Sequence, residues 1–181
     1  MSAKDIFTDI YARKLWGDGS GGGSVHSGPY IEHVNALIRK HRPKTILDIG
    51  CGDMVVASKL DLMGAKYIGW DAAAHCNGTT PKGYEVHYGK DALIDELPQA
   101  DMVLCKEVMQ HLSNDDVWAL VTRMVPHKVC VICNAYDDTH SPIKRNGDTH
   151  TGGFRPIEIG ARDQVFFGPE GHRYIIETFT R

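Results

Sequence analysis

Long apolar runs are missing from this chain, and so is a strong excess of charge of either sign. No hydrophobic stretch approaches the ~20 residues that a membrane-spanning helix needs, and the first residues lack the apolar core of a secretory signal. A cytoplasmic protein without a membrane partner is therefore expected. Formal net charge is -3, so no global basic field draws the chain towards nucleic acid. Cysteine is sparse and odd in number, at five, which argues against a disulfide framework and for a reducing compartment. Cys130 and Cys133 make a C-x-x-C with no second pair to complete a zinc site. Residues three apart on a strand also point to opposite faces, so the pair reads as buried structural cysteine. The glycine- and serine-rich stretch from Gly17 to Gly28 lacks the lysine of a phosphate-binding loop.

What remains is a chain of 181 residues, 42% of them hydrophobic, enough for one domain with a full core. Ile6, Phe7, Ile10, Tyr11 and Leu15 recur at helical spacing, predicting a short amphipathic helix over residues 3–15. A second helix is predicted from Pro29 to about His41, before Pro43. Between them the Gly/Ser stretch reads as a lid over a ligand or as a plain linker. The division expected is an N-terminal helix and lid over residues 1–28 and a core over residues 29–181. Strands are predicted at residues 45–49, 66–71, 84–88, 101–105 and 128–134. Helices are predicted over 54–63 and from Ser113 to about Val125, with Asp116 placed for a near capping box. A loop of roughly twenty residues, Ala135 to Arg155, is far longer than usual connections. Two closing strands, near Gln164 to Phe167 and Arg173 to Thr180, flank Gly168-Pro169-Glu170-Gly171 and predict an antiparallel hairpin. Strands alternating with helices predict a parallel α/β sheet.

Thr45-Ile46-Leu47-Asp48-Ile49-Gly50-Cys51-Gly52-Asp53 is the most informative stretch. A buried strand runs into two glycines that allow a sharp turn and close backbone approach to a ligand. Followed by a helix N-terminus, such a turn holds nucleotide-like ligands in α/β folds. Asp48 and Asp53 place negative charge where a pyrophosphate would sit, and so suit a cationic ligand such as S-adenosylmethionine. Asp71 ends the second strand 23 residues after Asp48, near the spacing of a ribose-binding acid.

With these motifs in order, the chain resembles class I S-adenosylmethionine-dependent methyltransferases over most of residues 30–134. Leu47-Asp48-Ile49-Gly50-Cys51-Gly52 looks like the family's first motif. The third glycine usual there is replaced by Asp53 or Met54. The resemblance implies a Rossmann-like, mostly parallel seven-stranded sheet with an antiparallel C-terminal hairpin, and S-adenosyl-L-methionine as cofactor. It assigns Asp48, Gly50, Cys51, Gly52 and Asp53 to the methionine side, Asp71 and Ala72 to the ribose, and Asp91 and Ala92 to the adenine. Lys106 is added as an anion contact. Cys105 to Leu112 resembles the fourth-strand exit that faces the transferred methyl. Tyr11, Trp16 to Ser24, and Asn146 to Pro156 look like features of small bacterial and phage members of the superfamily.

Glu107 and His111 share one face of that exit and are the candidate catalytic residues. His111 has an ordinary pKa of about 6.5 and reads either as a general base or as a packed histidine holding a loop. Tyr11, Trp16, Asn134 and Arg155 are the candidate acceptor contacts. Arg155, in a locally basic loop with His140, Lys144, Arg145 and His150, would suit an anionic acceptor. Asp137, Asp138 and His140 are closely spaced, yet the sequence assigns no metal. The reaction expected is methyl transfer to an oxygen or nitrogen of a small molecule or saccharide. The alternatives are a nucleic-acid or protein acceptor, or a cofactor-binding scaffold without catalysis. Lys106-Glu107-Val108-Met109 stands where amino-methylating DNA enzymes of the superfamily carry an Asn/Asp/Ser-Pro-Pro-aromatic signature, which argues against that class.

Overall fold

The computed structural model describes residues 2–16, 27–76 and 78–181. The Gly/Ser stretch, apart from Ser27 and Gly28, lies outside the described residues, and with it the lid or linker alternative. Strands β1 (Thr45–Ile49), β2 (Lys66–Asp71), β3 (Glu85–Tyr88), β4 (Met102–Lys106), β5 (Val129–Ala135), β6 (Asp163–Phe167) and β7 (Tyr174–Thr180) make one sheet. Its order is β3-β2-β1-β4-β5-β7-β6 across seven strands. The first five are parallel to one another, and β7 is antiparallel to both β5 and β6. Strand order reverses direction between β1 and β4. That switch point opens a crevice at the carboxyl ends of the strands, where ligands bind in such sheets.

The period-2 alternation of the strands divides the core in two. On one face Leu47, Ile49, Val103, Cys130 and Ile132 pack against helix α1 (Ala3–Ala12), through Phe7 and Ile10, and against the third helix through Val117, Leu120 and Met124. On the other, Ile46, Tyr67, Leu104, Val131 and Cys133 pack against helix α2 (Ser27–His41) through Tyr30, Val34 and Ile38. Cys130 and Cys133 therefore face opposite ways, and all five cysteines are free.

Local signals account for the helix ends. Ser2 and Asp5 close a reciprocal capping box on α1. Helix α3 (Asn114–Met124) starts on Ser113, whose hydroxyl accepts the Asp116 amide at 3.2 Å. Helix α2 carries Arg39, Lys40 and His41 in its last turn, favourable to the helix dipole. Arg42 then takes a φ of 46° and ends it.

One predicted element is absent. Residues 54–63 form only a single 3-10 turn, Ala57–Lys59, in place of the expected helix. Gly50, Gly52 and Met54 all have positive φ (76°, 56° and 68°). Left-handed residues at alternate positions cannot seed a right-handed helix. Asp53 instead accepts the Val55 amide at 3.1 Å, closing a local turn. No helix N-terminus stands behind the glycine turn. Among the described residues no helix is long and apolar enough to cross a membrane.

The long connection from β5 to β6 has no regular structure, yet it is heavily fastened. Arg155, fully buried, donates to the carbonyls of Met109 (2.7 Å) and Gly147 (3.1 Å) and to Asn114 Oδ1 (3.0 Å). Glu177 of β7, also fully buried, accepts the amides of Ile159, Gly160 and Ala161 at 2.6–3.0 Å.

Candidate active site

The glycine turn is built to place a carboxylate. Gly50 and Cys51 donate their amides to the Trp70 carbonyl (2.7 and 3.1 Å), laying the turn against the end of β2. Asp71, the last residue of β2, then receives the Gly52 amide on Oδ2 and the Ala73 amide on Oδ1, both at 2.9 Å. Burial pushes its carboxyl pKa up, while these two amides act in the opposite sense. Each oxygen keeps a second acceptor site. Gly50 is required: beside its φ of 76°, a Cβ there would lie 2.1 Å from Val108 Cγ2.

A cavity of about 210 Å³ opens at this point. Its floor is Gly50, Trp70, Asp71 and Ala72, and one side is Lys90, Asp91, Ala92 and Leu93. Lys106, Glu107, Val108 and His111 form the β4 side, while Phe7, Tyr11 and Trp16 form a wall from the N-terminal segment. Asp91 accepts the Leu93 amide on Oδ1 (2.9 Å), so it caps a turn as well as lining the cavity. Lys106 and Glu107 are ion-paired with little exposure. Glu107 holds a φ of 57°, left-handed for a non-glycine residue, and its amide donates to the Cys133 carbonyl at 2.6 Å. Such strain is stored where the surroundings over-determine a conformation.

His111 lies against Trp16, ring centroids 4.4 Å apart. Its Nδ1 donates to the Gly153 carbonyl (2.8 Å), so the neutral ring accepts on Nε2, where the Gln110 amide stands at 3.3 Å. Burial is the main cause that lowers its pKa to about 4, the Gly153 carbonyl opposing and the Arg155 charge assisting. Tyr11 bonds to the Cys76 side chain and ties the N-terminal wall to the loop after β2.

The cavity thus brings together Gly50, Asp71, Ala72, Asp91, Ala92, Lys106, Glu107, His111, Tyr11 and Trp16 of the residues expected from sequence. Asp48, Cys51, Gly52, Asp53, Asn134 and Arg155 are buried but do not line it. Asp48 accepts the Tyr67 hydroxyl at 2.5 Å, and burial lifts its carboxyl to about 7. Arg155 corrects the sequence expectation most plainly. Its position is ordered, but the guanidinium is bonded to its own loop and the β4 exit, with none of it turned to the cavity. The Asn134 amide has no hydrogen-bond partner on either side-chain atom among the described residues. Phe7, Trp70, Lys90 and Leu93 line the cavity without having been singled out in sequence. For Phe7 and Trp70 the apolar periodicity that places them in the core conceals any further role.

No family model matches the chain. A Rickettsia bellii protein, ubiquinone biosynthesis O-methyltransferase, is 33% identical over 112 residues, 56% of this chain and 46% of that one. The match thus spans about half the length of this curated relative. Among solved structures, magnesium protoporphyrin IX methyltransferase from Synechocystis PCC 6803 with bound SAH superposes with a TM-score of 0.64 at 14% identity, over 97% of this chain and 98% of the other. The 1,6-didemethyltoxoflavin-N1-methyltransferase of Burkholderia thailandensis, with its substrate and S-adenosylhomocysteine, gives 0.62 at 15% identity over 98% and 87%. The fold is that of the class I S-adenosylmethionine-dependent methyltransferases.

Proposed function

We propose that this chain is an S-adenosylmethionine-dependent methyltransferase acting on an oxygen or nitrogen of a small molecule. The observation that carries the reading is the chemistry of the cavity at the switch point. It combines two carboxylates, the apolar side chains of Trp70 and Leu93, and an ion pair at the β4 exit. That donor set suits a nucleoside joined to a charged amino acid, and with no helix N-terminus behind the glycine turn to receive a pyrophosphate, a dinucleotide is disfavoured. Asp71 would hold the ribose hydroxyls through its remaining acceptor sites, as carboxylates do well in partly buried sites. Asp91, Ala92 and Leu93 would receive the base. Lys106 would meet the amino-acid carboxylate.

When bound, the cofactor supplies a methyl group already activated on a positive sulfur. The chain's own task is then alignment and exclusion of water. Alignment of this kind contributes about 7–11 kcal/mol in intramolecular models. Phe7, Tyr11 and Trp16 form the wall against which a flat acceptor would lie. Glu107, and His111 in its neutral form, face that space, and either would receive the acceptor's proton in a step worth about 10²–10⁴-fold. Because Arg155 and Lys106 are committed elsewhere, an anionic acceptor would have to use Lys90. The saccharide alternative uses the same aromatic wall.

Titration calorimetry with S-adenosylmethionine and S-adenosylhomocysteine tests the binding half, and acceptor-dependent release of S-adenosylhomocysteine tests the transfer. Asp71→Ala should weaken cofactor binding by at least tenfold, consistent with loss of hydrogen bonds to a charged group. Glu107→Gln and His111→Ala should lower turnover with cofactor affinity retained. Native affinity in the Asp71 variant would refute the ribose assignment, and binding without transfer to any acceptor would leave a scaffold.

A further inference from the structure

Outside the cavity, the loop after β5 meets the turn between β6 and β7, and the meeting point is a cluster of ligand-type side chains. Asp138, His140 and His172 each offer one atom, and the three atoms lie within 4.8 Å of one another. We propose that these residues form a divalent transition-metal site of the zinc type, with at least one coordination position open to an external donor.

The distances carry the proposal. Asp138 Oδ1 stands 3.6 Å from His140 Nδ1 and 3.5 Å from His172 Nδ1. Both separations are too long for a hydrogen bond. They match the edge of a tetrahedron whose corners are about 2.0–2.1 Å from a central zinc, an edge of about 3.4 Å. The two imidazoles stack at 5.0 Å and 15°, with the same nitrogen of each turned to the same carboxylate oxygen.

The surroundings hold this arrangement. Neighbouring Asp137 is taken up by Arg173, through Nε at 2.7 Å and the backbone amide at 2.6 Å. Asp138 is thereby left to the histidines. The His140 amide donates to Asp138 Oδ1 at 2.8 Å and orients the carboxylate. The Thr139 amide donates to the Gly171 carbonyl at 2.9 Å, joining the two segments that supply the ligands. Two imidazoles and one carboxylate are a borderline donor set that suits zinc, nickel or copper and disfavours magnesium and calcium. Three protein ligands leave a position for water or for an external oxygen or nitrogen. None of the three residues lines the methyltransferase cavity, so a bound ion would fasten the long loop to the hairpin.

Sequence alone pairs Asp137 and Asp138 with His140. The fold exchanges Asp137 for His172, which lies 32 residues beyond His140.

The test uses the full chain stripped with a chelator and then dialysed free of it. Zinc chloride titrated calorimetrically should bind at one ion per chain with micromolar affinity, and cobalt should give a visible ligand-field band. His172→Ala and Asp138→Asn should each weaken zinc at least tenfold and abolish the band. His140→Ala should do the same, and this side chain is largely exposed (82%), so its removal leaves the fold intact. His87→Gln, elsewhere on β3, should bind as the native chain does. Absence of saturable one-to-one binding, or native affinity in the His140 and His172 variants, would overturn the site.

Discussion

Asp48 and His111 are buried titratable side chains whose contributions to stability oppose one another. Asp48 has its carboxyl raised to about 7 by burial. A raised carboxyl favours the folded state below its ordinary pKa of about 3.9, and that advantage is lost as pH rises through 7. His111 is lowered to about 4. Its contribution is present above an ordinary pKa of about 6.5 and is lost as pH falls towards 4. Each amounts to a few kcal/mol at about 1.4 kcal/mol per unit. Asp48→Asn keeps an acceptor for the Tyr67 hydroxyl but cannot ionise. Its melting temperature relative to the native chain should therefore rise between pH 5 and pH 8. His111→Asn should do the reverse and gain relative stability as pH falls from 7 to 4.5. Melts of both variants across this range check the two signs independently. The same depressed pKa means that a turnover profile should show no break near pH 6.5 traceable to His111.

Among the elements, the long connection after β5 depends on two buried side chains from outside regular expectation. Arg155 bonds two carbonyls and Asn114 without exposure, and Glu177 gathers three consecutive amides. Truncating either leaves several buried groups unpaired, at about 1–3 kcal/mol each. Arg155→Ala should lower the urea midpoint markedly, with cofactor affinity changed little because the guanidinium is away from the cavity. Strand and helix positions were legible because burial imposes simple periods: β1, β2 and the β6–β7 hairpin follow their apolar patterns closely. The helix expected at residues 54–63 was not, because the positive φ of Met54 leaves no trace in residue type. Arg155 was legible as a basic loop residue but not as a structural one, since a basic loop and a buried clamp share the same letters. Asp71 was legible as a cavity residue because it ends β2 at the carboxyl edge of the sheet, whereas Asp91, three residues past β3, was reached only through the resemblance.

Over the whole molecule, the three tryptophans divide usefully. Trp70 and Trp16 line the cavity, whereas Trp118 is exposed on α3 at 55%. Binding of S-adenosylhomocysteine should change intrinsic fluorescence, Trp70→Phe should remove much of that change, and Trp118→Phe should preserve it. The site as a whole draws on residues from the first helix to the third, which is why no single motif described its aromatic side.

The wall made by Phe7, Tyr11 and Trp16 belongs to a segment whose own helix is ten residues long and starts from the capping box of Ser2 and Asp5. A helix that short is marginal by itself and holds its place by docking. Only molecules with that segment docked present a complete cavity, so the measured dissociation constant is the intrinsic value divided by the docked fraction. Ser2→Ala removes a cap worth about 1 kcal/mol, and should weaken apparent ligand affinity by up to about fivefold in calorimetry. An exposed serine that touches nothing in the cavity becomes, through this equilibrium, a determinant of how tightly the cavity binds.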